Sequence, residues 1–213
     1  MDHALLARPR VERRPRAAHL LGRLFTIAGL LVLIVFFGDI ALGAWQQRQL
    51  DATLHRQLAT TPAALAPAPV QAKIQPFPVD GVDFGIEVPK IGYSAAVAEG
   101  TDSKTLDAGP GHYSDTAWPG QSGDIGVAAH NVYWIKFDEL QPGDSVLLRT
   151  RWGTYSYVID SRRIVWPDDR TILIPTAYPR LTLTTCWPLW AGAFANQRLV
   201  FIAHQSDPPL TGR

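Results

Sequence analysis

Residues 180–188 read RLTLTTCWP, a run that alternates apolar and polar residues and then reaches a proline. Alternation with a period of two is typical of a strand with one face toward a core, and Pro188 cannot continue a central strand. The segment therefore predicts a β-strand that ends at Cys186. We expect the cysteine to lie at the rim of a sheet and to point toward the cleft that the next loop encloses.

Further short runs rich in β-branched and aromatic residues lie between turn residues in the second half of the chain. They are 84–88, 124–130, 145–150, 154–160, 171–174 and 198–204. Pro142-Gly143-Asp144 and Trp152-Gly153 supply hairpin turns between neighbouring runs. These strands, with no amphipathic helix among them, predict a mainly β domain that is either a closed barrel or a sandwich.

The run 24–45 (LFTIAGLLVLIVFFGDIALGAW) contains a single charged residue, Asp39. As a helix it could cross a hydrocarbon core of roughly 30 Å. Basic residues flanking a span keep that side in the cytoplasm, and six arginines precede this run: Arg8, Arg10, Arg13, Arg14, Arg16 and Arg23. A cleaved signal peptide also has a basic start, but its apolar core is shorter. The sequence predicts a retained membrane anchor and an exported remainder.

Charge is nearly balanced over the 213 residues, with 20 Lys+Arg against 19 Asp+Glu, so no nucleic-acid partner is expected. Five prolines in 61–79 predict an extended linker. The predicted organisation is a cytoplasmic basic segment (1–23), a transmembrane anchor (24–45), a stalk and Pro/Ala-rich linker (46–80), one folded domain (81–205) and a tail (206–213).

Cys186 is the only cysteine of the chain, so the exported domain cannot form an internal disulfide. Most free cysteines behave as small buried hydrophobes, and by its position alone Cys186 fits that description. A thiol becomes a useful nucleophile when a nearby base or cation favours the thiolate, and histidine is the usual partner. The choice between the two interpretations therefore depends on what lies beside the cysteine.

His130 is the preferred partner, because it ends a predicted strand just as Cys186 does. Two adjacent strands could present both side chains at one edge. We expect His112, in a turn-rich segment, to be exposed or to cap a turn, and His204, at the end of the last run, to face solvent. No pair among these residues has the spacing of metal ligands, so no metal site is expected.

Arg198 follows Cys186 by twelve residues and opens the last predicted strand. An excursion through 187–197 could return it to the side of the cysteine. Arginine presents a rigid fork of donors, which suits the negative charge that develops on a carbonyl oxygen under attack by a thiolate. An arginine on the surface of a strand is the common alternative.

Taken together, these residues resemble the sortase family. Its nucleophile motif TLxTC matches 182–186, its histidine context matches Ala128-Ala129-His130-Asn131, and its arginine opens the following strand as Arg198-Leu199-Val200. Further similarity covers 86–91, 109–113, 118–120, 137–140 and 142–144, and so extends over most of 84–204. The twelve-residue gap after Cys186 is most similar to class D sortases. Ala129 is a departure, since glycine often precedes the histidine in that group.

The resemblance implies an eight-stranded closed β-barrel and a cysteine transpeptidase without a cofactor. Such an enzyme cleaves an LPxTG-like C-terminal sorting signal between Thr and Gly. The implied partners are secreted proteins carrying that signal and an amine acceptor such as a peptidoglycan precursor, at the outer face of a membrane. The implied catalytic residues are Cys186, His130 and Arg198, and the implied substrate-binding residues are Thr185, Ala129 and Asn131.

Two other interpretations remain open. An L,D-transpeptidase is also exported, β-rich and cysteine-dependent, but its cysteine usually follows Ser-His-Gly, whereas residues 183–185 are Leu-Thr-Thr. A non-catalytic, membrane-tethered β-domain that binds a cell-envelope partner would need His130, Cys186 and Arg198 to fall into this order by chance.

Overall fold

The structure is a computed structural model that describes residues 16–60 and 77–206. Most of the predicted cytoplasmic segment, linker and tail lies outside these residues. Contacts divide the chain into two compact units, Met1–Ala41 and Leu42–Arg213. The predicted domain boundaries, including a folded domain that starts at residue 81, remain predictions.

Helix α1 runs from Arg16 to Thr60. It contains one stretch, His19–Ala59, that is long and apolar enough to cross a membrane, with a mean hydropathy of 2.5 in its most apolar window. Its large apolar side chains are more than half exposed from Leu20 to Leu42, on all sides of the helix. A helix that is apolar all round needs lipid or protein around it. The predicted span 24–45 therefore lies within a candidate membrane helix that continues into the polar stalk.

Eight strands form a closed barrel, which confirms the expected fold. They are β1 (Val82–Val88), β2 (Tyr93–Glu99), β3 (Gly111–His112), β4 (Gly123–Ala129), β5 (Ser145–Thr150), β6 (Gly153–Val165), β7 (Pro179–Trp187) and β8 (Gln197–Gln205). Their order around the barrel is β1-β2-β3-β4-β7-β8-β6-β5. Helix α2 (Ser103–Ala108) connects β2 to β3, and 3-10 turns lie at Pro89–Ile91, Phe137–Glu139 and Leu189–Phe194.

The core fills the barrel with aliphatic and aromatic side chains. Fully buried members from several strands are Phe84, Ile86, Ile125, Leu148, Leu183 and Phe201. The loop after β4 adds Trp134 and Phe137, whose rings stack with centroids 4.3 Å apart. Because stacked aromatic rings bury large apolar areas, this loop is held against the barrel immediately after His130.

The second half of α1 packs on the first two strands. The Asp51 carboxylate accepts a hydrogen bond of 2.7 Å from the backbone N–H of Ala96 in β2. Leu54 lies so close to Gly85 in β1 that a Cβ at Gly85 would be 2.6 Å from it. The Gln57 amide donates to the carbonyl oxygen of Val79 at 2.8 Å. Residues 42–60 therefore cover the outside of β1 and β2, a contact that the predicted stalk did not include.

One predicted strand is wrong and two observed strands were missed. Residues 171–174 form turns and irregular backbone, and the carbonyl of Ile172 accepts from the Arg180 guanidinium at 3.1 Å. The missed strand β2 (YSAAVAE) contains three alanines, which have low strand propensity. The other missed strand, β3, has only two residues.

Candidate active site

The register of three adjacent strands brings the predicted catalytic residues to one end of the barrel. Strands β4 and β7 are parallel, with Ala129 beside Thr185, so the next residues are His130 and Cys186. Strands β7 and β8 are antiparallel and pair Cys186 with Arg198. Cys186 therefore lies between His130, the residue that follows β4, and Arg198 in β8.

A buried ionic contact joins β4 to β7 at their N-terminal ends, away from His130 and Cys186. The Asp124 carboxylate accepts from Arg180 at 2.6 Å and from the Thr182 hydroxyl at 2.8 Å. All three residues are less than 9% exposed. A slip of one residue would expose these groups and invert the faces of the strand. The contact therefore helps to fix the register that places His130 beside Cys186.

Cys186 is partly exposed. It lies beyond the last fully buried positions of β7, Thr184 and Thr185. A core cysteine would be enclosed on all sides, so the buried-hydrophobe interpretation does not describe this position. The residue lies at the rim of the barrel and is partly open to solvent.

His130 has an acidic neighbour that sequence reasoning missed. Its Nε2 lies 3.3 Å from an oxygen of Asp107, with the histidine side chain 38% exposed. Asp107 belongs to α2, which is only six residues long and shows no periodicity. The one sequence feature that could have indicated this helix is Asp102. Its carboxylate caps the helix by accepting hydrogen bonds from the N–H groups of Lys104 and Thr105.

Two contacts hold Asp107 in place. The Tyr133 hydroxyl donates to the Asp107 carbonyl oxygen. Burial, and then the Asp107 charge, raise the pKa of Tyr133, so this phenol stays a donor. Gly43 of α1 lies against the same carbonyl, since a Cβ there would be 2.6 Å from it. The loop after β4 and helix α1 thus both determine where the neighbour of His130 sits.

Arg198 is half-buried near the start of β8. Its Nη1 donates to the carbonyl of Gln197 at 3.0 Å. This bond uses one of the five N–H donors of the guanidinium. The arginine is therefore anchored to its own strand, at the position that pairs with Cys186.

The three predicted substrate-binding residues are all buried. Ala129, Asn131 and Thr185 are 3–4% exposed. The Asn131 amide donates at 3.2 Å to the carbonyl of Gly192, in the segment between β7 and β8. The Thr185 hydroxyl is a buried group that no partner among the described residues satisfies. The observed contacts of Ala129 and Asn131 are internal to the protein, and a role of the three in substrate binding remains a prediction.

Exposed apolar side chains lie in the two loops that follow His130 and Cys186. Val132 and Ile135 are more than half exposed in the first loop. Trp190 and Phe194, in the second, are 83% and 93% exposed. Isolated apolar residues on a surface are ordinary, but these four belong to the two loops that begin at the candidate nucleophile and base.

The expectation for His112 is wrong, whereas the one for His204 is confirmed. His112 is fully buried, because its ring packs between Phe84 and Trp118 at centroid distances of 5.3 and 5.2 Å. His204 is about half exposed and its Nδ1 lies 2.6 Å from Asp160. Turn residues around His112 misled the prediction, since they form strand β3 and its connections to neighbouring strands.

Comparison with known proteins identifies the family. A family model described as "Sortase domain" matches residues 86–206. This match covers more than half of the chain, and the protein therefore belongs to the sortase family, a family of cysteine transpeptidases.

Individual relatives include several sortase classes. Sortase D of Bacillus subtilis is 36% identical over 114 residues, which are 52% of this chain and 58% of that protein. The chain thus aligns with less than two thirds of that relative. A sortase D5 transpeptidase structure from Clostridium perfringens is 27% identical with a TM-score of 0.55, covering 60% of this chain and 79% of that one. Sortase E of Streptomyces avermitilis is 29% identical with a TM-score of 0.54, covering 64% and 100%.

Proposed function

We propose that this protein is a membrane-anchored transpeptidase that cleaves an LPxTG-like sorting signal and transfers the acyl group to an amine. The observation that carries the proposal is the strand register, in which Cys186 lies between His130 and Arg198. Three groups with the chemistry of a nucleophile, a proton carrier and an oxyanion donor stand together at one accessible rim.

The reaction proceeds in two steps. The Cys186 thiolate attacks the threonine carbonyl, the new C–S bond replaces the C–N bond to glycine, and His130 gives its proton to the departing amine. An incoming amine then attacks the thioester, His130 accepts its proton, and the thiolate leaves. Arg198 holds the substrate backbone or the charge on the carbonyl oxygen during both steps.

The substrates are secreted proteins with a C-terminal sorting signal, and the acceptor is an amine such as a peptidoglycan precursor. The apolar positions of an LPxTG-like motif suit the exposed apolar side chains of the two loops, such as Val132, Ile135 and Trp190. The helix that includes 24–45 anchors the chain, with its basic N-terminal side in the cytoplasm and the barrel outside. Class D is the subclass that the cysteine-to-arginine gap supports.

The direct test is turnover of a quenched LPxTG-like peptide with a small amine acceptor, using full-length protein in detergent. Wild-type protein should release the glycine-side product and form a thioester adduct of Cys186, detectable by mass spectrometry. Cys186→Ala should abolish both, and His130→Gln should lower kcat/KM by about 100-fold or more.

A matched control is His204→Gln, since His204 also follows a buried strand segment and also pairs with an aspartate. It should leave kcat/KM unchanged, and every variant should keep the wild-type circular dichroism spectrum. Turnover in Cys186→Ala, or an equal loss in His204→Gln, would sink the proposal.

A further inference from the structure

A second cluster of reactive side chains lies on strands that the proposed transpeptidase site does not use. Asp83, Glu99 and His112 belong to β1, β2 and β3. Each offers one nitrogen or oxygen atom of the kind that binds metal ions, and these atoms lie within 4.8 Å of one another. Strand pairing sets Glu99 directly beside His112.

A β-bulge brings Asp83 into the cluster. In the β1–β2 ladder Val82 pairs with Ala98 and Phe84 pairs with Val97, so Asp83 is an extra residue. A bulge bends its strand and redirects a side chain that would otherwise alternate outward. The Asp83 side chain is 0% exposed as a result.

The ring of His112 is oriented so that one nitrogen faces the carboxylates. Its Nε2 lies 3.0 Å from the carbonyl oxygen of Ala117. A carbonyl only accepts hydrogen bonds, so Nε2 carries a hydrogen. Nδ1 lies 2.9 Å from Asp83 and 3.6 Å from Glu99. Metal-binding histidines are typically held in this way, with the second ring nitrogen donating to a backbone carbonyl.

One oxygen of each carboxylate is buried without a hydrogen bond of normal geometry. Asp83 Oδ1 and Glu99 Oε2 are both buried without a hydrogen-bond partner among residues 16–60 and 77–206. The two carboxyl groups also lie within hydrogen-bonding reach of each other. Two carboxylates that face one imidazole nitrogen, one of them fully buried, are stabilised by positive charge between them.

We propose that Asp83, Glu99 and His112 bind a divalent transition-metal ion of the Zn²⁺ type. One imidazole nitrogen with two carboxylate oxygens is a ligand set that such ions accept. The distances from His112 Nδ1, 2.9 Å to Asp83 and 3.6 Å to Glu99, lie on either side of the separation of about 3.3 Å between neighbouring ligand atoms of tetrahedral zinc. Glu99 is 32% exposed, so the ion reaches the site from its side, where water fills the fourth position.

The ion would tie together three consecutive strands. β1 follows the linker, and its first residues are held to β2 and β3 by this cluster. Metal bound only to the folded state stabilises that state, so the expected effect is a higher Tm. The site is independent of the transpeptidase chemistry, and its failure would leave that proposal intact.

The test is calorimetric titration of ZnCl₂ into full-length protein in detergent, stripped with EDTA and carrying Cys186→Ala so that the thiol binds no metal. We expect one Zn²⁺ per chain with a dissociation constant below about 10 µM. Glu99→Gln, which keeps size and partial exposure, should weaken binding by about tenfold or more. Co²⁺ should give a visible absorption band that the same substitution removes.

Glu87→Gln is the matched control, because Glu87 is a strand carboxylate of similar exposure, 28%, paired instead with Arg149. It should leave Zn²⁺ affinity unchanged. His112→Gln is less informative alone, since a buried ring is removed and the fold can fail. The proposal would be overturned by Zn²⁺ binding weaker than 10 µM, by binding that Glu99→Gln does not affect, or by tighter binding of Ca²⁺ than of Zn²⁺. In each case, bound protons would instead balance the negative charge of the two carboxylates.

Discussion

At the scale of single residues, the position of each candidate catalytic group depends on strands rather than on its own sequence neighbours. Cys186 and His130 are 56 residues apart in the chain, yet a parallel ladder makes them adjacent. The buried Asp124–Arg180 contact helps to set that ladder. A substitution far from the thiol, at Asp124, therefore bears on the same geometry as one beside it.

Asp107 tests whether the neighbour of His130 contributes to turnover. The pair is solvent-exposed, with a separation of 3.3 Å and an aspartate 68% exposed, so its contribution is modest. We expect Asp107→Asn to lower kcat/KM by about two- to fivefold without lowering Tm. Peptide turnover measured beside Asp160→Asn, which removes the exposed partner of His204, provides the comparison. Unchanged kcat/KM, or an equal loss in both variants, would contradict a positioning role.

Among the structural elements, those with strong alternation were predicted and those with weak local signals were not. Strand β5 has the predicted bounds, 145–150, because its burial alternates along the strand. β2 and β3 went unnoticed, since alanine-rich or very short strands form only where a neighbour supplies hydrogen bonds. Residues 171–174 have strand-like composition, but a side chain of β7 takes the backbone oxygen that a ladder would use.

The same limits apply to the candidate site. Strand ends could be predicted from the sequence, so the adjacent positions of Cys186, His130 and Arg198 were expected, while their catalytic roles remain predictions. Asp107 and the Asp83–Glu99–His112 cluster could not be predicted from the sequence. Each depends on a short helix, a bulge or a two-residue strand, and these leave no periodic pattern.

Gly43 tests the contact between helix α1 and α2. An added Cβ would lie 2.6 Å from the Asp107 carbonyl oxygen and 2.8 Å from the Tyr133 hydroxyl, and the backbone atom cannot move aside freely. We expect Gly43→Ala to lower the free energy of unfolding by about 1–3 kcal/mol. The Tm of the full-length protein should therefore fall by several degrees.

The control is Gly38→Ala in the same helix, where an added Cβ meets no described atom within 4 Å. Alanine has a higher helix propensity than glycine, so the Tm of this variant should equal or exceed that of the wild type. If Gly43→Ala also kept or raised Tm, the close approach would not be a constraint in the protein.

For the whole molecule, pattern alone left a barrel and a sandwich open, and the family resemblance chose between them. Closure depends on pairings between distant segments, such as β1 with β5 and β6 with β8. Local alternation carries no information on which strands meet, since every half-buried strand has the same period. The covering of β1 and β2 by residues 42–60 was missed for a similar reason, because a polar stalk gives little sign of packing.

Truncation tests where the folded unit begins. A chain starting at Leu42 keeps Asp51, Leu54 and Gln57 on the barrel, whereas a chain starting at Gly81 loses them. Losing a buried leucine and two hydrogen bonds costs several kcal/mol, so we expect the shorter chain to melt at least about 10 °C lower. Scanning calorimetry of both proteins measures the difference in Tm. Equal Tm values would show that the folded domain begins at residue 81.

The lone, partly exposed Cys186 also determines how the protein responds to oxidants. A thiolate exposed to peroxide forms a sulfenic acid, which many proteins rescue by condensing it with a second thiol. This chain has no second thiol to offer. Whether oxidised Cys186 is reduced again or is oxidised further therefore depends on reductants in its surroundings. The protein itself has no resolving cysteine that could protect it.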